Sequence, residues 1–135
     1  MKIKIYYHHT DCDQVVYYAK YLEFLEEART EFFEGKGISI KELTKQGILF
    51  VVARQEIDYK APAFYGDTLS IDTRVTEVGR VKIDFTYEIK NQNNQIVSTA
   101  RTVIVCVDCN FKPQAISEGI RKKFIYGVGK YNPKG

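Results

Sequence analysis

A carboxylate and the start of a helix lie close together near the N-terminus, and together they could carry out chemistry. Asp11 lies in the polar stretch T-D-C-D-Q, six residues before Tyr17, and a helical pattern begins at Tyr18. The unpaired N–H groups of a helix N-terminus stabilise developing negative charge. A carboxylate beside them can act as a nucleophile or as a general base. The two features together could therefore do chemistry in which negative charge develops, with Asp11 as the nucleophile or general base.

The neighbours of Asp11 offer competing interpretations. Aspartate is common in turns, where it accepts hydrogen bonds from backbone N–H groups, so Asp11 could be structural. Asp13 is a rival carboxylate two residues further on. Cys12 could be a nucleophile, but no partner base is evident, which favours a packed thiol. Adjacent residues on a strand point to opposite faces, so His8 and His9 are not expected to share a metal, although His9 could lie near the pocket.

The elements that must position these residues follow from the hydrophobic pattern. Residues 2–9 alternate and predict a half-buried strand. A helix is expected over residues 18–34, ended by glycines, and a short helix over residues 40–46 with a capping box from Ser39 and Glu42. The apolar stripe of the long helix consists of Tyr21, Phe24, Leu25, Ala28 and Phe32.

The second half of the chain is dominated by strand patterns. Strands are predicted at residues 49–59, 69–78, 81–90 and 97–109, and the loop N-Q-N-N-Q joins the last two as a hairpin. A final helix is expected at residues 117–124, before a Gly/Pro/Lys-rich tail at 127–135 that should fray. An apolar-striped helix needs a surface to cover. The pattern therefore predicts an α+β fold, with one long helix against a five-stranded antiparallel sheet.

Composition narrows the class of protein. A chain of 135 residues with 44% hydrophobic residues is expected to form one domain, residues 1–135. It has neither an apolar run long enough for a transmembrane segment nor a signal-peptide core, so a cytoplasmic location is expected. The net charge of +3 comes from dispersed basic residues and does not indicate nucleic-acid binding. The three cysteines are expected to be reduced, and the lone pair Cys106 and Cys109 does not complete a metal site.

Three segments of the chain resemble those of a known family. The pattern T-D-x-x-x-x-V-Y, followed by x-x-x-Y-L-x-F-x-E-x-A-R, spans residues 10–29. V-V-A-R-Q-E-I-D-Y-K-A-P-A-F-Y-G-D spans residues 51–67, and R-T-V-I-V-C-V-D begins at Arg101. This order resembles the hotdog-fold acyl-CoA thioesterases of the 4-hydroxybenzoyl-CoA thioesterase family. It is most similar to the small bacterial branch encoded beside the Tol–Pal genes.

The resemblance implies a mechanism and an assembly. It implies that Asp11 is the catalytic carboxylate and that the backbone N–H of Tyr18 polarises the thioester carbonyl. It also implies a homo-oligomer, a dimer or tetramer, that joins two sheets edge to edge, with no metal and no cofactor apart from the coenzyme A of the substrate. The sequence departs from the family pattern at Tyr18, where this branch usually has histidine, and at Asp13 and Gln14, where the family has small residues or glycine.

Substrate contacts are expected on both sides of the helix start. Residues 57–64 resemble the family segment that lines the pantetheine and acyl channel, which adds Tyr59 and Lys60 to Tyr17 as binding candidates. Arginine and lysine suit phosphate oxygens. The candidates for the phosphates of coenzyme A are Arg54, Lys60, Arg74, Arg80 and Lys82, of which Lys60, Arg80 and Lys82 are preferred.

Two other functions remain open from the sequence. A hydratase acting on acyl thioesters would normally pair a histidine with a carboxylate, and His9 with Asp11 is an imaginable pair. A protein that only binds acyl thioesters is also compatible, because a fold does not fix a function. The sequence does not separate nucleophile from general base for Asp11, and it does not reveal the acyl group.

Overall fold

The computed structural model describes residues 1–125, and the expected frayed tail at 127–135 lies outside the described residues. That residues 1–135 form a single domain stays a prediction. A 3₁₀ turn, Tyr7–His9, follows the first strand. The elements in chain order are β1 (Lys2–Lys4), α1 (Tyr18–Gly35), α2 (Ile40–Lys45), β2 (Leu49–Tyr59), β3 (Thr68–Val78), β4 (Lys82–Lys90), β5 (Ile96–Val107) and α3 (Glu118–Ile125).

All five strands form one antiparallel sheet in the order β1-β3-β4-β5-β2. One edge is the three-residue strand β1, and the other is the eleven-residue strand β2. Along β2, Leu49 lies opposite Val107 and Tyr59 lies opposite Ser98 of β5. The sheet therefore has one short edge and one long edge that no other described strand covers.

The helix α1 packs its apolar stripe into the core. Tyr21, Phe24, Leu25 and Ala28 are buried as expected, and Phe33 is buried more deeply than the predicted Phe32. Alternate residues of the sheet face this stripe, which is the period expected for strands. The sheet residues buried in this core include Leu69, Ile71, Val75, Ile83, Phe85, Tyr87 and Ile89. Full burial of one such side chain contributes roughly 1.5–3 kcal/mol.

The predicted strand at residues 2–9 is wrong in its second half. The strand ends at Lys4, and Tyr7, which the alternation groups with Ile3 and Ile5, is 65% exposed. The His9 ring accepts a hydrogen bond from the N–H of Tyr6 at 2.9 Å, and the His9 N–H donates to the Tyr6 carbonyl at 3.0 Å. A local side-chain acceptor of this kind competes with strand pairing, and here a 3₁₀ turn replaces the strand.

Candidate active site

A miniature antiparallel pairing joins the 3₁₀ turn to the start of α1. The N–H of Tyr17 donates to the carbonyl of His9 at 3.1 Å, and the N–H of Asp11 donates to the carbonyl of Val15 at 3.0 Å. Between them, Thr10 and Val16 form an isolated antiparallel bridge. Asp11 therefore lies on one arm of this pairing, and the other arm leads directly into the helix.

The Asp11 carboxylate closes the turn between the two arms. Its Oδ1 atom accepts the N–H of Asp13 at 2.9 Å, while the Asp11 carbonyl accepts the N–H of Gln14 at 3.0 Å. Gln14 has φ of 62°, in the left-handed region that favours glycine. Asp11 therefore does have the structural role of accepting a backbone N–H in this turn. The side chain is also exposed, so one carboxylate oxygen that caps no backbone group is open to a ligand.

The first turn of α1 presents a free donor beside this turn. Tyr17 is the N-cap residue, with extended φ and ψ of −69° and 139°, and Tyr18 is the first helical residue. The first N–H groups of a helix lack intrahelical acceptors. Among the hydrogen bonds formed within residues 1–125, none has the Tyr18 N–H as its donor. This donor can stabilise an oxyanion that develops at the helix start.

A cleft of about 260 Å³ opens at this end of the helix. Tyrosine rings form its wall: Tyr59 lies 5.0 Å from Tyr18 and 5.3 Å from Tyr21 between ring centroids. The Tyr59 hydroxyl donates to the Tyr18 carbonyl at 3.4 Å, which ties the end of β2 to the first turn of α1. The lining residues are Val15, Val16, Tyr18, Tyr21, Tyr59, Lys60, Ala61 and Pro62.

Two tyrosines of the cleft, Tyr21 and Tyr59, have a raised pKa. Burial, followed by the influence of Tyr59 and Asp67, raises the pKa of Tyr21 to about 12. Burial and then Tyr18 also raise the pKa of Tyr59. Both phenols remain hydrogen-bond donors near neutral pH. The sequence predicted Tyr21 only as a core residue. Its position three residues after Tyr18, on the same helix face, could have indicated that it also lines the cleft.

The binding residues expected from the sequence do not all come together. Lys60 and Tyr59 line the cleft, whereas Tyr17 is exposed and outside its lining. Lys82 pairs with Val105 of β5, seven residues from Ser98, the partner of Tyr59 (105 − 98 = 7). At about 3.4 Å per residue, this separates Lys82 and the neighbouring Arg80 from Tyr59 by roughly 24 Å along the sheet.

The other basic candidates are already paired on the outer face. Arg54 lies 2.6 Å from the Glu56 carboxylate, and Arg74 lies 3.0 Å from that of Asp72. Because their guanidinium groups are already paired, Arg54 and Arg74 are less suited to binding the phosphates of coenzyme A. Arg80 and Lys82 are exposed, and the ion pairs given for the described residues include neither side chain. They remain candidates, but at the opposite end of the sheet from Asp11.

Other reactive groups lie away from the cleft or lack a chemical partner. Burial raises the pKa of Cys106, and Cys109 is exposed, so the two thiols differ in environment. Ligand-type atoms of Asp11, Cys12 and Asp13 lie within 4.8 Å of one another, but all three are exposed members of one turn, and we assign no function to this grouping. A larger cleft, about 620 Å³, lies between β1 and α1 and does not include Tyr18, and Asp11 lines neither this cleft nor the one beside Tyr18.

Comparison with known proteins identifies the family. The family described as the thioesterase-like superfamily matches residues 7–124, which include the turn, the helix and all strands except β1. The chain belongs to the thioesterase-like superfamily. Within residues 1–125, no helix of this family member combines the length and apolar character needed to cross a membrane.

Relatives in this superfamily match nearly end to end. The chain is 36% identical over 123 residues to the acyl-CoA thioester hydrolase YbgC of Escherichia coli, covering 90% of this chain and 92% of the relative. It is 34% identical over 124 residues to the long-chain acyl-CoA thioesterase FadM of Escherichia coli, covering 90% and 93%. The resemblance to the YbgC-like branch is therefore confirmed.

Two solved structures show the same fold. The DHNA-CoA thioesterase of Staphylococcus aureus superposes with a TM-score of 0.89 at 24% identity, covering 98% of this chain and 96% of that chain. A hypothetical protein from Thermus thermophilus gives a TM-score of 0.87 at 25% identity, covering 93% and 96%. The predicted α+β hotdog fold, a long helix against a five-stranded antiparallel sheet, is confirmed.

Proposed function

We propose that this superfamily member hydrolyses acyl-CoA thioesters to a free acid and coenzyme A. The observation that carries the proposal is the pairing of residues 9–11 with 15–17, which connects the arm that carries the exposed Asp11 carboxylate to the arm that leads into the unpaired helix N–H of Tyr18. The named activities of the YbgC and FadM relatives support the same reaction. The cleft lined by Tyr18, Tyr59 and Lys60 offers a place for the thioester.

The proposed mechanism uses few groups. The Tyr18 N–H hydrogen-bonds the thioester carbonyl and stabilises the negative charge that develops on its oxygen. Asp11 either attacks the carbonyl carbon, forming a mixed anhydride that water then cleaves, or removes a proton from an attacking water. In both routes the carbon–sulfur bond breaks, and the sulfur leaves as a thiolate. A thiol pKa of about 8.5 makes this leaving group easy to expel, so the proposed reaction uses no metal and no organic cofactor.

We propose that the working unit is at least a dimer formed along β2. β2 pairs with β5 on one side only, and an open edge of eleven residues is a liability that a second copy can cover. Antiparallel pairing of two β2 strands reverses the partner, which would bring the far end of its sheet towards the Tyr59 end of the first copy. Residues Arg80 and Lys82, separated from Asp11 within one chain, would then come from the partner to hold the phosphates of coenzyme A.

A cytoplasmic location is part of the proposal. It is supported by the three cysteines, none of which forms a disulfide within the described residues.

A thiol-trapping assay over a panel of acyl-CoA thioesters tests the function, and release of one thiol per acid formed is the expected result. Binding without thiol release would favour a carrier, and hydration of an enoyl-CoA would favour a hydratase. The His9 ring, bound to Tyr6 rather than Asp11, argues against the hydratase pair.

A further inference from the structure

His9 lies where the turn before Asp11 is held together. Its ring Nδ1 accepts the N–H of Tyr6 at 2.9 Å, and its carbonyl accepts the N–H of Tyr17 at 3.1 Å. The ring also packs edge-on against Phe24 of α1, with 5.3 Å between centroids. One residue thus connects the 3₁₀ turn, the arm that carries Asp11 and the start of α1.

The bond from Tyr6 constrains the state of the imidazole. A ring nitrogen accepts a hydrogen bond only through its lone pair, so Nδ1 must be unprotonated and the neutral ring carries its proton on Nε2. In the imidazolium both nitrogens are donors. Protonation would therefore place an N–H against the N–H of Tyr6 and break the bond that closes the turn.

We propose that neutral His9 is a positioning residue, which holds Asp11 and the helix start in register, and that its protonation loosens this turn and lowers activity. The proposal rests on the proposed thioesterase function. Asp11 follows His9 by two residues, and Tyr18 follows Tyr17, the residue bonded to the His9 carbonyl. Displacement of the His9 backbone would therefore move both reacting groups relative to each other.

Burial and the surrounding charges determine the direction in which the pKa of His9 is shifted. Burial, then His8, then Lys20 lower the pKa of His9 from its ordinary 6.5, and Glu23 opposes them. The neutral ring is thus retained at neutral pH, and its contribution is lost as pH falls below about 6.5 through the lowered pKa. The groups facing the adjoining cleft from β1, the 3₁₀ turn and α1 include Lys2, Lys4, Tyr6, His8, Glu26, Glu27 and Glu31.

The test compares His9→Asn with His8→Asn. Asparagine offers an Oδ1 acceptor to the Tyr6 N–H but does not titrate, whereas His8→Asn removes the neighbouring ring alone. We expect wild-type kcat to show an acid limb with a pKa below 6.5, and a fall of at least ~5-fold, the order expected for loss of one hydrogen bond of about 1 kcal/mol. His9→Asn should lose this limb, and His8→Asn should keep it.

NMR titration provides a readout that does not depend on activity. We expect the neutral ring of His9 to be the Nε2–H tautomer, and the amide signals of Tyr6 and Tyr17 to titrate together with it. An Nδ1–H tautomer, amides that ignore the His9 titration, or the same acid limb in His9→Asn would each overturn the proposal. Absence of thioesterase activity at pH 8 would instead refute the proposed function, and the amide titration would still decide whether the turn opens.

Discussion

The carbonyl oxygen of His9 lies 3.1 Å from the backbone nitrogen of Tyr17, the residue that caps α1. Together with the hydrogen bond from the Asp11 N–H to the Val15 carbonyl, this bond joins the arm that carries Asp11 to the arm that enters α1. Because Asp11 lies two residues after His9 and Tyr18 directly follows Tyr17, the pairing restrains the backbone of both residues.

Replacement of Asp11 by asparagine should lower kcat by at least ~100-fold, the low end for loss of a general base. The amide keeps an oxygen that can accept the Asp13 N–H, so the turn should persist and the circular dichroism spectrum should be unchanged. Asp13→Asn is the matched control and should have a much smaller effect. A folded Asp11→Asn protein with near-normal activity would exclude the mechanism.

The Tyr18 main chain, rather than its phenol, is expected to polarise the carbonyl. Tyr18→Phe keeps both the N–H and the ring that lines the cleft, and it should retain most activity. Tyr18→Pro removes the N–H, and proline is well tolerated at the first helical position; the extended backbone of Tyr17 also suits a following proline. Steady-state kinetics should show a fall of ~100-fold or more for the proline variant alone. Equal losses in phenylalanine and proline variants would assign the chemistry to the hydroxyl.

Pairing along β2 should be sensitive to charge at its exposed edge. Val52 is 52% exposed, and Val52→Lys should weaken self-association because a charged side chain would have to lose water at the paired edge. Ile96→Lys, at another exposed aliphatic position, is the control. Light scattering at micromolar concentration should give a multiple of the 135-residue chain for wild-type and control proteins. A fully active wild-type monomer would reject the shared site.

Subunit mixing tests whether Asp11 and Lys82 act across the interface. A heterodimer of Asp11→Asn with Lys82→Glu would contain one intact site only if the two residues come from different copies. Mixing the two inactive variants should therefore restore part of the activity. If both residues act within one chain, every site keeps a defect and no activity returns.

Ionisation of Tyr21 should weaken the fold at alkaline pH. Its pKa is raised to about 12 by burial, so the unfolded chain, with a pKa near 10, loses the proton first. The free energy of unfolding should fall by up to ~2.7 kcal/mol between pH 10 and pH 12, at about 1.36 kcal/mol per pKa unit. Denaturant titrations at both pH values should show a smaller fall for Tyr21→Phe. An identical fall would mean that other groups account for it.

Glycine at position 14 should stabilise the turn that carries Asp11. Gln14 has φ of 62°, which costs a side-chain-bearing residue roughly 1–2 kcal/mol, and glycine avoids this cost while adding freedom to the unfolded chain. Gln14→Gly should therefore raise the melting temperature by a small amount and leave kcat intact. A lower melting temperature would indicate that the glutamine side chain makes a contact worth more than the strain.

The sequence by itself determined the local elements and the identity of the reacting carboxylate candidate. Helix α1 and strand β2 begin at the predicted residues because their hydrophobic periods are local properties of the chain. Ser39 caps α2 through the N–H of Glu42, as its position indicated. The spacing of Asp11 to Tyr17 also required no tertiary information, although its catalytic role stays a prediction.

Only the tertiary structure decided which distant groups meet. The order β1-β3-β4-β5-β2 depends on pairings such as Ile3 with Leu69, far apart in sequence, and no local period encodes them. The same pairings put Lys82 at the opposite end of the sheet from Tyr59. A 3₁₀ turn forms where the alternation predicted a strand, because the His9 ring accepts the N–H of Tyr6. In a strand, that N–H would have bonded to a neighbouring strand.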